Sequence, residues 1–317
     1  MTSLTSRRGF WFAYVFSCGA VFFAWLLFSG PTFSAKPPAQ SVYASPEQAM
    51  DALVAAVKSG DEAKMENVLG PGSKKLLSSG DPVEDKNARE RFLAAIADGS
   101  KTEKRDNGDV FFEIGKDEWP FPIPVVMTDG NWHFDTKAGA EEILDRRIGG
   151  NELNTINVCL AYVDAQRDYA TKDRNHDGFL EYAQKFASAP GKQDGLYWPT
   201  EAGQDESPMG PLMVTAQSRG YTFTKGKRTP YFGYYYRILK SQGPHATGGA
   251  FDYVVHGHMM GGFALVAYPA QYGSSGIMTF IVNHEGVVYQ KDLGPKTAEI
   301  AEKMTTYDPD SSWKKAQ

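Results

Sequence analysis

The sequence predicts an α+β protein in two successive parts: N-terminal helices packed on a curved antiparallel sheet in the manner of a cone, then a long helix beside a second antiparallel sheet. Three observations predict it. Apolar residues recur at helical spacing between positions 46 and 97, and the period changes to two from Val110 onward. After a further helical stretch to position 170, the chain returns to short strands divided by turn residues. A chain of 317 residues, 42% of them hydrophobic, can bury one large core or two smaller ones, and the repeated helix-then-strand order favours two. The expected organisation is residues 1–40 as a signal peptide or N-terminal membrane anchor with its linker, 41–148 as the cone-like part, 149–310 as the long helix with its sheet, and 311–317 as a tail.

In the first of these segments, Arg7 and Arg8 lead into an uncharged apolar run over positions 10–28, and the Pro-rich AKPPAQ follows. That is the pattern of an export signal, or of an anchor left in the bilayer, and it predicts a periplasmic or envelope location. Thr32 and Ser34 supply a small-x-small peptidase pattern, and the run from Ser6 to Phe10 resembles a twin-arginine signal except at Trp11 and Phe12. Cys18 lies inside the apolar run. The exported remainder keeps one cysteine, Cys159, so no disulfide can form within it. Among Val158, Leu160 and Val163 that thiol reads as buried and inert. The formal charge of −5, roughly −7 without Arg7 and Arg8, argues against a nucleic-acid partner.

The cone-like part opens on Ser45-Pro46-Glu47-Gln48, an N-cap, a first-position proline and a capping-box glutamine. Ala49, Met50, Leu53, Val54 and Val57 form the apolar stripe, Gly60 ends the helix, and Asp61 caps a second one through Leu69. A third helix is expected over 88–97. Strands are expected over 110–114, 122–127 and 132–134, the last two joined by an Asp129-Gly130 hairpin turn. The run SPEQAMDALVAAVKSGDEAKMENVLG, these strands and the closing GNWHFDT resemble the nuclear-transport-factor-two and ketosteroid-isomerase superfamily. The resemblance implies either a catalytic pocket or a plain recognition module. Catalysis would need a general base in an apolar cavity. His133 is the candidate, but it alternates with Trp132 and Phe134 and so faces the opposite side of its strand. The stiff WPFPIP run, positions 119–124, either walls a pocket or covers a sheet edge.

Between the two parts, residues 138–148 read as a helix ended by Gly149-Gly150, with Arg146 and Arg147 at its negative end and Asn151 capping a second helix to position 170. Asp173-Arg174-Asn175-His176-Asp177-Gly178-Phe179-Leu180-Glu181 follows. Oxygen donors at alternate positions before a glycine are what a hard cation needs round a tight bend. Calcium is therefore expected on Asp173, Asn175, Asp177 and Glu181, with Gln184 where an EF-hand would place its bidentate glutamate. The same residues can build an Asx-rich turn with a left-handed glycine and no metal. His256 and His258 stand two apart and could share one side of a strand as metal ligands, but no third ligand is near in sequence, and the glycines around them suggest a hairpin bend.

Beyond position 191, a helix-like stretch near 207–220 precedes the dense aromatic run Tyr231-Phe232-Gly233-Tyr234-Tyr235-Tyr236. That run reads as a buried sheet face or as a surface for sugars or a partner. Strands are expected over 251–255, 262–267, 277–282 and 287–289, then a closing helix over 296–304 and a frayed tail from position 308. Long helix, acidic glycine loop and antiparallel sheet, ending FALVAYPAQYGSSGIMTFIVNHEGVVY, resemble the globular heads of type II secretion pseudopilins and type IV pilins. No prepilin peptidase site precedes the helix. Taken end to end, residues 41–310 resemble an exported bacterial family catalogued as domain of unknown function 2950, a name that implies no activity. No G-x-S-x-G, Walker, H-E-x-x-H or C-x-x-C motif occurs, and no catalytic residue is nominated. The expectation is an exported, non-catalytic envelope protein that binds an envelope protein or surface ligand, or serves an assembly, and meets a membrane only through its N-terminal segment. The alternative is a small-molecule enzyme or ligand-binding protein using a pocket in residues 41–148.

Overall fold

The computed structural model describes residues 40–201, 203–222 and 228–316. The segment expected to direct export, its small-x-small pattern and Cys18 lie outside these residues. Helix α1, Pro46–Ser59, opens as its sequence requires: Ser45 Oγ accepts from the Gln48 N–H, Pro46 fills the first turn, and Gly60 closes it at a φ of 67°. Helix α2, Glu62–Leu69, is capped by Asp61, and α3, Lys74–Leu77, is a single turn. Helix α4, Pro82–Asp98, begins earlier than expected. The reason is Asp81-Pro82, a cap and first-position proline, with Asp81 Oδ1 accepting from the Val83 and Glu84 N–H groups at 3.2 Å each.

Strands β1 (Ser100–Lys104), β2 (Val110–Ile114), β3 (Trp119–Thr128) and β4 (Asn131–Phe134) form an antiparallel sheet in that order. Strand β1 was not expected, because all five of its residues are exposed and neither face leaves an apolar alternation to read. Its charges suit an edge strand, where they discourage pairing with another chain. Asp129 and Gly130, at φ 53° and 79°, make the expected two-residue turn. Leu53, Met65, Phe112, Ile123 and Phe134 bury one core between these helices and this sheet.

Helix α5, Thr136–Tyr169, runs unbroken for 34 residues, which corrects the expected stop at Gly149-Gly150. Both glycines are exposed, with open space where a side chain would stand. The roughly 1 kcal/mol that each costs a helix is offset because the chain on either side is pinned. Arg147 donates to the Lys75 and Leu76 carbonyls, and Asn151 Nδ2 donates to the Ser275 carbonyl at 2.9 Å instead of capping a new helix. One helix therefore serves both cores: Ile143 and Leu144 pack on the first, and Cys159, Tyr162, Val163 and Tyr169 belong to the second.

The second half carries α6 (Gly210–Ser218), β5 (Tyr234–Leu239), β6 (Ser241–Gln242), β7 (Phe251–Asp252), β8 (Val254–Val255), β9 (His258–Met259), β10 (Ala264–Pro269), β11 (Met278–Asn283), β12 (Tyr289–Asp292), α7 (Thr297–Lys303), β13 (Thr306–Tyr307) and β14 (Lys314–Lys315). Its main sheet runs β14-β12-β11-β10-β5, antiparallel throughout. Strand β10 is buried along its whole length, so its sequence is continuously apolar rather than alternating. Tyr231 and Tyr234 are buried while Tyr235 and Tyr236 are half-buried, which makes the aromatic run packing surface. The tail does not fray. Lys314 and Lys315 pair with Gln290 and Tyr289, the Ala316 N–H donates to the Val288 carbonyl, and Trp313 packs against the core, so residues 313–316 are held by both main chain and side chain.

Asp81 ties the halves together. It is fully buried, and its Oδ2 accepts from the Tyr221 hydroxyl at 2.8 Å and the Gly233 N–H at 2.9 Å. Burial raises its carboxyl above the ordinary 3.8, against the pull of those donors. Cys159 is also fully buried, and burial pushes its thiol up to about 12. In a Cys18→Ser chain, Cys159 is expected to react with dithionitrobenzoate only after denaturation; rapid reaction of the native protein would contradict this burial.

Candidate functional site

Two places gather chemistry. The first is a cavity of about 420 Å³ between the N-terminal helices, β2, β3 and α5. Its wall is apolar almost throughout, with Leu53, Val57, Met65, Phe92, Phe121 and Ile123 among its residues, and its charged lining is limited to Asp85, Arg89, Arg91 and Arg147. Trp119, Phe121 and Ile123 of the stiff proline-rich strand form one wall, one of the two roles open to that run in the sequence. His133 is not among the lining residues.

The charges at this cavity are not equivalent. Both Asp85 oxygens accept from the Ser79 N–H, at 3.1 and 3.0 Å, a shared bond that anchors the carboxylate at the cavity wall. Arg147 is spent on the Lys75 and Leu76 carbonyls, and burial lowers its pKa. Arg91 pairs with Glu84 at 2.7 Å. Arg89 is half-buried and has no ion-pair or side-chain hydrogen-bond partner among the described residues. An apolar cavity of this volume with a few convergent polar groups has the form of a small-molecule site, and its unspent group is a cation.

The second place is the loop after α5. Asp173 faces the main chain: Oδ1 accepts from the Asp177 N–H at 3.2 Å and Oδ2 from the Gly178 N–H at 2.9 Å. The bond from Gly178 is the chief reason its carboxyl sits below the ordinary carboxylate range. Asn175 lies between the remaining acids, its Nδ2 donating to Asp177 Oδ2 at 2.7 Å and to Glu181 Oε1 at 2.6 Å, while its Oδ1 accepts from the Asp177 N–H. His176 and Gly178 take φ values of 60° and 93°, the left-handed positions that bend the loop.

This loop docks on the hairpin of β8 and β9. His256 and Gly257, at φ 51° and 92°, form its two-residue turn, so His256 points to solvent while His258 lies on the paired strand. The two histidines therefore do not face one side. The Tyr182 N–H donates to the Met259 carbonyl, the Met259 N–H to Glu181 Oε2, and Gln184 Nε2 to the Gly257 carbonyl. This docking sets His258 Nδ1 3.4 Å from Asp177 Oδ2 and 3.3 Å from Glu181 Oε2. The Phe179 ring covers the imidazole, with centroids 4.4 Å apart.

Of the four expected cation ligands, Asp177 and Glu181 come together, Asn175 bridges them through its nitrogen, and Asp173 turns to the backbone. His258 is the partner that sequence reasoning missed, since only the docking of a distant hairpin brings it to the loop. Among the described residues no helix is long and apolar enough to cross a membrane. No curated protein and no solved structure matches the chain. A family model described as a protein of unknown function, DUF2950, matches residues 40–316, and the chain belongs to that family.

Proposed function

We propose that this chain is an exported, non-catalytic binding protein of the cell envelope, and that its first core receives a small apolar ligand bearing an anionic end. The observation that carries the reading is Arg89, a half-buried guanidinium without a partner among the described residues, at a cavity of about 420 Å³ whose wall is otherwise almost entirely apolar. An apolar body gains from leaving water and an acidic end gains a charge-assisted hydrogen bond. Binding is favoured over catalysis because the cavity is lined by one carboxylate, Asp85, which the Ser79 N–H anchors, and by no histidine among the described residues. The resemblance of residues 41–148 to the nuclear-transport-factor-two superfamily, whose members enclose pockets between helices and a curved sheet, supports the same reading. On the pilin-like resemblance, residues 149–310 supply the rigid part that meets an envelope partner.

The test uses a fluorescent carboxylate, 11-(dansylamino)undecanoic acid, titrated into the purified full chain. A saturable 1:1 rise in emission is expected, weakened about tenfold by Arg89→Ala, a loss in the range for a charged hydrogen bond. Ala88→Trp, placed at the exposed edge of the cavity, is expected to block it. No saturable binding, or binding indifferent to both substitutions, would sink the proposal.

A further inference from the structure

The geometry points to a divalent transition-metal site, of zinc size, formed by Asp177, Glu181 and His258. Its three donor atoms, one from each side chain, lie within 4.8 Å of one another. His258 Nδ1 stands 3.4 Å from Asp177 Oδ2 and 3.3 Å from Glu181 Oε2. Ligand bonds of about 2.1 Å arranged tetrahedrally put neighbouring donor atoms about 3.4 Å apart, which is the separation of His258 Nδ1 from each carboxylate, and the carboxylate oxygens lie within 4.8 Å of each other. The same distances suit a direct bond poorly, since charge-assisted hydrogen bonds run about 2.7 to 2.9 Å. A cation between the three groups would neutralise the two carboxylates and engage the imidazole nitrogen, with Asn175 Nδ2, 2.7 Å from Asp177 Oδ2, and the Met259 N–H, 3.2 Å from Glu181 Oε2, remaining on the second lone pairs.

The surroundings hold the donors in place from two sides. Phe179 packs on the imidazole, and the Phe179 N–H fixes the other Asp177 oxygen at 3.0 Å. The Met259 N–H donates to Glu181 Oε2 at 3.2 Å, the kind of supporting contact that orients a metal ligand. A cavity of about 300 Å³ opens on the three side chains, also lined by Gln184 and Lys240, and leaves room for a further coordination position. The donor set separates ion classes. Calcium takes six to eight oxygens, but here Asp173 faces the main chain away from the cluster, Asn175 presents its Nδ2 to the acids, and one of the three convergent donors is an imidazole nitrogen. Mixed carboxylate and imidazole donors favour zinc and its neighbours in the first transition row.

The test is calorimetric titration of the chelator-treated, tag-free full chain with zinc, and separately with calcium. One zinc per chain is expected, with a melting temperature raised by several degrees. His258→Gln should weaken zinc at least tenfold, whereas His256→Gln, in the exposed turn of the same hairpin, should leave it unchanged. No zinc binding by the unaltered chain overturns the site, as does zinc affinity unmoved by His258→Gln. Calcium binding tighter than zinc and retained by His258→Gln also overturns it, in favour of an all-oxygen loop. Should His258→Gln fail to fold, cobalt(II) titration of the unaltered chain decides: an intense visible band of a four-coordinate ion supports the site, and a weak six-coordinate spectrum overturns it.

Discussion

Asp81→Ala is expected to lower the unfolding free energy by about 3 to 5 kcal/mol, the sum of a lost helix cap and of buried donors left without an acceptor. Its four accepted bonds join elements far apart in the chain: the Val83 and Glu84 N–H groups at the head of α4, the Tyr221 hydroxyl behind α6, and the Gly233 N–H just before β5. Asparagine cannot replace it well, since all four partners donate and an amide offers one acceptor atom where the carboxylate offers two. Urea unfolding followed by far-ultraviolet dichroism measures the loss, and a change below about 1 kcal/mol, the worth of one ordinary hydrogen bond, would show that Asp81 does not tie the halves together. A pH signature accompanies it. The folded pKa of Asp81 is raised by burial, so its relative contribution is present in full below its ordinary value of 3.8 and is lost as pH climbs through the folded pKa. Asp81→Asn has no such proton to lose and should lack that downward step.

Gly139→Ala is the second large effect, expected to cost about 3 kcal/mol or more because it overpacks against a backbone that cannot turn aside. A methyl at position 139 would stand 2.4 Å from the Pro122 carbonyl oxygen and 2.7 Å from the Ile123 Cα, so relief requires α5 to retreat from β3. Retreat would loosen Ile143 and Leu144 from the first core and alter the cavity that Ile143 and Ile123 line. Helix propensity alone predicts the opposite sign, since alanine is favoured over glycine by about 1 kcal/mol. The exposed Gly149 supplies the comparison: with open space around it, Gly149→Ala is expected to stabilise by up to about 1 kcal/mol. Equal, stabilising effects at the two positions would mean that α5 does not lie against β3.

Local signals carried well where the physics is local. The cap and proline of α1, the left-handed Gly60, the Asp129-Gly130 turn and the buried Cys159 all follow from a few neighbouring residues, and the structure has them as expected. Reading failed where a distant partner overrode a local preference. Gly149-Gly150 has the composition of a helix end, yet Arg147 and Asn151 are each anchored by carbonyls far away in sequence. Strand β1 has no buried face to betray it, and β14 is two exposed lysines paired beside Trp313, which packs on the second core. The acidic loop was legible as a cluster of donors around a glycine turn. Its relation to His258 was not, because that depends on how a two-residue hairpin docks.

Periodicity, capping and turn chemistry within short stretches specify the α+β class, most of the helices and strands, the buried thiol and the bend at residues 173–181. Long-range packing, by contrast, is what carries one helix through both cores, leaves Arg89 at an apolar cavity without a partner among the described residues, and closes His258 on Asp177 and Glu181. Each of these depends on which surfaces meet after the chain has folded back, and burial and main-chain pairing between distant segments settle that with energies larger than any single residue's local preference.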